Sequence, residues 1–178
     1  MNEKKQLRFL TGYPPHLVEQ VQALIDQNAL QAWLQKRYPE AYNNRHSIQT
    51  DKALYERVCE LKQQYLKNAP PLAKVTYDNK LDLIKGTLGT NTFASRVQGG
   101  KLKRKNEIRI AALLREAPLE FLEMLIVHEL AHLKEKDHNK AFYQLCQHML
   151  SNYAQLELDL RIWLTARELG LILASPHK

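Results

Sequence analysis

The stretch MLIVHELAHLKEKDHNKAFYQLCQHM, residues 124–149, places two histidines and a glutamate inside an apolar helical pattern. On an α-helix each residue turns by ~100°, so His128 and His132 lie one turn apart and within ~40° of each other. Buried imidazoles and a buried carboxylate must be paired, hydrogen-bonded or bound to a metal, because leaving them bare costs several kcal/mol. The surrounding positions are apolar over nearly the whole circumference, which predicts a buried helix: Leu122, Met124, Leu125, Ile126, Val127, Leu130 and Ala131.

The pattern His128-Glu129-x-x-His132 is the arrangement of zinc hydrolases. The alternative is that these three side chains satisfy one another on a face that touches solvent. His138 favours the metal, although on one straight helix it would lie ~9 Å further along and ~120° around from His132. Metal–nitrogen bonds are only ~2.0–2.1 Å long, so the helix must stop near residues 134–136 and turn.

The segment KEKDHNK permits that turn, because Asp137 and Asn139 tolerate turn geometry and either can cap the following helix. Three imidazoles would leave an open position for water on zinc or another divalent metal. Glu129 is the predicted base that takes the proton of this water, which then attacks a peptide carbonyl or a phosphoryl centre.

Several other polar residues have roles that the sequence leaves open. Glu157 and Asp159 could hydrogen-bond the ligand imidazoles or form ion pairs on their helix. His148 is predicted to be a surface or packing residue, and Cys146 a small buried one. Phe142, Tyr143 and Leu145 are most simply core contacts. Candidates for binding substrate or stabilising the transition state are Arg96, Lys101, Tyr143, His148 and Arg161.

The chain of 178 residues is predicted to form one α+β domain, with a helical part (1–70) followed by a sheet and metal-binding helices (71–178). One helix is expected from Pro14–Pro15 and continues less regularly to Leu34; another follows the Thr50 cap. Three or four short antiparallel strands are expected between residues 74 and 112. Their hairpins would turn at Asn79 and at Gly99–Gly100. Pro118 opens a helical region that continues to about Leu173.

The net charge of +7 favours polyanionic partners. Its most concentrated run, KLKRK at residues 101–105, is typical of a solvated hairpin loop, and alternatively could associate weakly with nucleic acid. The chain has only two cysteines and no apolar run of the ~20 residues that span a membrane. An export signal is also not evident, so we expect a cytoplasmic protein.

Segments along nearly the whole chain resemble the bacterial YgjP-like metal-dependent hydrolases: GYPPHLVEQVQALI, RYPEAY, NAPPLAKVTYDNKL, SRVQGGKLKRKNEIRIA, VHELAHLKEKDHNKAFYQLCQHM and LELDLRIWLT. The resemblance implies a zincin-like minimal metallopeptidase fold, with His128, His132 and His138 as ligands and Glu129 as base. It also implies a hydrolase, since such proteins are labelled either metallopeptidases or UTP pyrophosphatases. Relatives in the wider group carry Arg-Trp-Gly-Ser-Cys where this chain has residues 94–99, so no role of that Trp or Cys transfers.

The sequence is therefore compatible with three functions. Two are enzymes that share every motif residue, a metallopeptidase and a nucleoside triphosphate pyrophosphatase. The third is a basic nucleic-acid-binding protein with a structural metal. Structural zinc sites are usually closed by four ligands and rich in cysteine, so three histidines beside a glutamate favour an enzyme. A sheet edge able to pair with an extended chain would favour a peptide substrate, and Lys and Arg near the metal would favour a triphosphate.

Overall fold

The computed structural model describes residues 7–81, 88–98 and 101–172, with the side chains of residues 42, 43, 93–98 and 101–105 outside that description. Helices, a small sheet and further helices follow one another, which confirms the α+β prediction. In chain order the elements are α1 (Pro15–Asp26), α2 (Leu30–Arg37), α3 (Pro39–Asn43), α4 (Asp51–Tyr65), β1 (Leu72–Asp78), β2 (Gly89–Gln98), β3 (Lys101–Ala111), α5 (Leu119–Ala131), α6 (Lys140–Met149) and α7 (Tyr153–Glu168). Short 3-10 helices occur at Arg8–Leu10 and Ala112–Arg115.

The N-terminal helices begin where local chemistry predicts. Pro15 is the first residue of α1, a position where its missing N–H leaves no helical hydrogen bond unmade. The helical pattern that was expected to continue to Leu34 is interrupted at Asn28, whose φ of 53° is left-handed, so α1 and α2 are separate helices. Thr50 caps α4 as predicted, since its side chain accepts a hydrogen bond of 3.1 Å from the Ala53 N–H.

The sheet has the strand order β1–β3–β2. Strands β2 and β3 form the predicted antiparallel hairpin, in register from Gly89 opposite Ile110 to Gln98 opposite Lys101. The basic run at residues 101–105 was expected in the loop but belongs to β3, because it pairs with residues 94–98. One face of an antiparallel hairpin can remain solvated, so a charged segment can form a strand.

Strand β1 contradicts the prediction of antiparallel strands, since it runs parallel to β3. Val75 lies opposite Ile108 and Tyr77 opposite Ile110, and all four side chains are buried. This pairing places alternate apolar residues of both strands on the covered face. The strand expected after Asn79 falls largely outside the described residues. Turn signals predict pairing only between neighbouring segments, whereas β1 pairs with the strand that allows both apolar faces to be buried.

Helix α5 lies at the centre of the core, and nine of its 13 residues are buried, as predicted. It contacts α4, α6, α7, β2 and β3. Phe121, near its start, packs edge-to-face against Tyr38 and Trp163, with ring centroids 4.7 and 6.3 Å away. Contacts on several sides therefore hold the last turn of α5 in a defined position relative to β2 and α7.

The helical region ends with α7 at Glu168, before the predicted end near Leu173, a residue outside the described part. Among the helices that the structure describes, none has both the length and the apolar character needed to cross a membrane.

Candidate active site

Three histidines converge at the C-terminal end of α5. His128 lies in its last turn, and His132 directly follows Ala131, its last residue. The helix therefore ends at Ala131, before the predicted stop near residues 134–136, and main-chain hydrogen bonds continue as a turn as far as Glu135. His138 is returned to the site, and its Nε2 lies 3.1 Å from the Nε2 atoms of both His128 and His132.

Asn139 ends this turn by capping α6, one of the two caps that the sequence allowed. Its side-chain oxygen accepts a hydrogen bond of 2.9 Å from the Phe142 N–H. Phe142 is fully buried, and its ring centroid lies 4.9, 4.7 and 4.8 Å from those of His128, His132 and His138. The cap therefore also places the apolar surface against which the three imidazoles pack.

The three imidazoles have the geometry to hold a divalent metal. Their candidate ligand atoms all lie within 4.8 Å of one another. Metal–nitrogen bonds of 2.0–2.1 Å in a tetrahedral site separate two nitrogens by ~3.3 Å, close to the observed 3.1 Å. Burial, aided by His132 and His138, lowers the pKa of His128 to about 3, and burial also lowers the pKa of His132. Both residues are therefore neutral at pH 7, which is the form that binds metals.

The other ring nitrogen of two of these histidines has a polar partner. His132 Nδ1 lies 2.9 Å from the main-chain oxygen of Glu135. His128 Nδ1 lies 2.7 Å from the hydroxyl of Tyr153, at the start of α7. With Nδ1 occupied by these contacts, Nε2 of each ring is the nitrogen that faces the common centre.

Glu129 lies beside the three histidines but does not share their centre. Its side chain is buried, and burial raises the pKa of Glu129 to about 8. The carboxyl lies directly against Gly89, the first residue of β2: a Cβ added there would lie 2.3 Å from Glu129 Oε1. Asn91 Nδ2 donates a hydrogen bond of 3.1 Å to the Glu129 main-chain oxygen. The start of β2 therefore positions both the helix end and the carboxyl.

The histidines and Glu129 open into a cleft of about 710 Å³. Its walls come from the start of β2, the last turns of α5, the turn after α5, α6 and α7. The lining residues are Leu88, Gly89, Thr90, Asn91, Thr92, Met124, Leu125, His128, Glu129, His132, Lys136, His138, Tyr143, Glu157, Leu160 and Arg161.

Two of the candidate substrate-binding residues line this cleft. Tyr143 was also considered a core contact, which is wrong, since it is 38% exposed and its ring lies 6.3 Å from that of His138. Arg161 is partly exposed and lies 3.9 Å from Glu157. The side chains of Arg96 and Lys101 lie outside the described residues. Lys136 also lines the cleft but was not among the predicted residues, although its place in the turn between His132 and His138 was a usable signal.

Other polar residues lie elsewhere. Asp159 is fully buried and bonds Arg37 and Tyr38, both at 2.5 Å, so it holds an ion pair and not an imidazole. His148 packs edge-to-face on Tyr65, as expected of a packing residue. Cys146 is fully buried and burial raises its pKa to about 12, which agrees with its predicted packing role. Tyr153 was missed, because no local pattern links residues 25 positions apart.

An α+β fold with His-Glu-x-x-His at the end of a buried helix, a third histidine from the next turn and an open cleft defines the class of metal-dependent hydrolases.

Comparison with known proteins places the chain within this class. Residues 94–162 match the family model YgjP-like, metallopeptidase domain. A relative from Escherichia coli (strain K12), named UTP pyrophosphatase, is 56% identical over 164 residues, which cover 92% of this chain and 96% of the relative. No solved structure gives a significant match. The chain belongs to the YgjP-like family and is a metal-dependent hydrolase.

Proposed function

We propose that this protein is a zinc-dependent nucleoside triphosphate pyrophosphatase that hydrolyses UTP, or a related nucleotide, to the monophosphate and pyrophosphate. The observation that carries the proposal is that Lys136 and Arg161 line the same cleft as the three histidines and Glu129. A triphosphate needs cationic partners for its oxygens. The name of the 56% identical relative supports the same substrate.

In this proposal His128, His132 and His138 hold the metal through their Nε2 atoms. Zinc bound there would lower the pKa of water and polarise a phosphoryl oxygen. The three imidazoles supply neutral nitrogen donors, and Phe142 keeps their rings in place.

Glu129 acts as the general base. Its carboxylate takes a proton from the attacking water and returns it to the leaving pyrophosphate oxygen as the P–O bond breaks. A group that must both take and return a proton works best with a pKa near the operating pH. Burial, which raises the pKa of Glu129 to about 8, supports this role.

Arg161 and Lys136 bind the phosphates from two different elements, α7 and the turn after α5. The guanidinium is held by Glu157 at 3.9 Å, and its planar fork suits two phosphate oxygens at once. Tyr143 offers a partly exposed ring that a nucleobase could stack on. Any weak association of nucleic acid with the basic run Lys101–Lys105 stays a prediction from the sequence.

Peptide hydrolysis is the second candidate, because β2 is an edge of the described sheet and its first residues line the cleft. An extended peptide could pair with the main-chain groups of Gly89 and Asn91, which alternate with the residues that bond β3 and so face the open edge beside the metal. The name of the matching family model favours this substrate too. A nucleic-acid-binding module with a structural metal has less support, since three histidines beside an open cleft leave a metal coordination position free.

The deciding experiment assays the zinc-loaded protein in parallel against UTP, the other nucleoside triphosphates and an unfolded protein. Glu129→Gln should retain the metal and lose hydrolysis by about two orders of magnitude or more. His132→Ala should lose stoichiometric metal. Activity retained by Glu129→Gln on every substrate would overturn the assignment of the base.

The substrate is tested by Arg161→Met. We expect a raised KM for UTP, with a smaller difference at high salt because the contact is ionic. Arg109→Met is the matched control, since Arg109 lies on β3 and outside the cleft and pairs with Asp78 at 3.4 Å. If the zinc-loaded wild type cleaves no triphosphate but degrades the unfolded protein, the peptidase alternative is correct.

A further inference from the structure

We infer that Tyr153 is a positioning residue for the metal, because its hydroxyl accepts the Nδ1–H of His128 and so holds the Nε2 lone pair of that ring toward the metal. The inference rests on the proposed metal site. Glu157 and Asp159 were the candidates for this role from the sequence. Of these, Asp159 bonds Arg37 and Tyr38, and Glu157 lies beside Arg161.

The contact is short and enclosed. Tyr153 Oη lies 2.7 Å from His128 Nδ1, and Tyr153 is fully buried. The two rings are nearly parallel, with an interplanar angle of 18° and centroids 6.3 Å apart. Because the site excludes water on this side, an Nδ1–H that lost the tyrosine oxygen would be a buried donor without a partner.

The direction of the hydrogen bond follows from metal binding. A ring that donates its Nε2 lone pair to a metal carries its proton on Nδ1, so Tyr153 must act as the acceptor. Its own O–H then needs an acceptor, and the Cys146 thiol is a hydrogen-bonding neighbour of this hydroxyl.

The two histidines at the end of α5 are thus held in different ways. His132 has a main-chain oxygen 2.9 Å from Nδ1, which can only accept, so its tautomer is set by the backbone. His128 faces a hydroxyl that can accept or donate, so its tautomer depends on a side chain that mutation can remove. Tyr153 also belongs to α7, so the contact joins the metal-binding helix to the helix that carries Arg161.

The test measures zinc affinity of the full chain, by competition with a chromophoric chelator, for wild type, Tyr153→Phe and Tyr77→Phe. The phenylalanine keeps the ring and removes the oxygen. Loss of a hydrogen-bond partner behind a metal ligand lowers metal affinity by about 10- to 100-fold, and we expect this for Tyr153→Phe. Tyr77→Phe is the matched control, since the Tyr77 hydroxyl is also buried and donates a hydrogen bond of 2.7 Å, to the main-chain oxygen of Ile48. Tyr77 lies on β1, away from the histidines, so the zinc affinity of this variant should stay within about twofold of wild type.

Equal zinc affinities of Tyr153→Phe and wild type would overturn the inference, as would an equal loss in Tyr77→Phe, which would indicate a general effect of stability. If Tyr153→Phe does not fold, proton NMR of the zinc-loaded wild type decides. The His128 Nδ1–H should exchange as slowly as that of His132, and rapid exchange would contradict the bond. His128→Ala separates the two proposals: if it keeps zinc, the metal site itself is wrong.

Discussion

Gly89→Ala should disable the enzyme without removing its metal. Gly89 begins β2 and lies opposite the Glu129 carboxyl, where an added Cβ would be 2.3 Å from Oε1 and 2.8 Å from Cδ. The backbone of Gly89 is not left-handed, unlike that of Gly12 and Gly170. An alanine at this position would therefore clash with the Glu129 carboxyl, and its backbone would not be strained.

The size of the effect follows from these distances. Non-bonded heavy atoms sit at roughly 3.5 Å, so the carboxyl must move by ~1 Å. Glu129 is 3% exposed, so the space open to a displaced carboxyl is the cleft that it lines, away from its present position against β2. A displacement of ~1 Å of a catalytic group can cost about 100-fold in rate. The three atoms nearest to the added Cβ all belong to Glu129, so metal binding should be unchanged.

The assay compares kcat, zinc stoichiometry and melting temperature of wild type and Gly89→Ala. The control is the same change made in the Glu129→Gln background, where it should lower the residual rate little further, because both changes act on one carboxyl. Wild-type kcat in Gly89→Ala would refute the reasoning. Loss of zinc by this variant would refute it as well, since the clash would then extend to the ligands.

Three further predictions follow from particular residues. Burial raises the pKa of Glu129 from 4.5 to about 8 in the metal-free protein. The protonated Glu129 side chain therefore contributes its full stabilisation below pH 4.5, and that stabilisation is lost as the pH rises to 8. Urea titrations should show wild type losing ~3 kcal/mol relative to Glu129→Gln between pH 5 and pH 8; parallel curves would contradict this. Asp159→Asn should lower the free energy of unfolding by about 1–2 kcal/mol, since the buried carboxylate loses its charge-assisted bonds whereas Arg37, 41% exposed, can be hydrated. Zinc affinity should stay unchanged, and a loss of zinc would tie Asp159 to the metal. If the basic run of β3 flanks the metal, the triple variant Lys101→Ala, Lys103→Ala and Arg104→Ala should raise the KM for UTP, less so at high salt. An unchanged KM on nucleotide, peptide and DNA-bound substrates would make the run a solvated strand only.

The convergence of the three histidines beside Glu129 was predictable in outline because its determinants are local. Residues a few positions apart set each of its parts: the spacing of His128 and His132 on one helical face, the apolar residues around them and the Asn139 cap. The turn before His138 was required by bond lengths alone. The Thr50 cap and the β2–β3 hairpin were predictable for the same reason, since each depends on contacts within one turn or one hairpin.

The tertiary structure decided what surrounds that centre. Four contacts join residues that are 25 to 122 positions apart or lie on separate elements. They are the parallel pairing of β1 with β3, the contact of Gly89 with Glu129, the bond between Tyr153 and His128 and the ion pair of buried Asp159 with Arg37. No periodicity or cap encodes such contacts, because they depend on which apolar faces pack together once the elements exist. The sequence by itself therefore predicted which side chains are the candidate ligands and the candidate base, and packing determined which residues contact them and which cations line the same cleft.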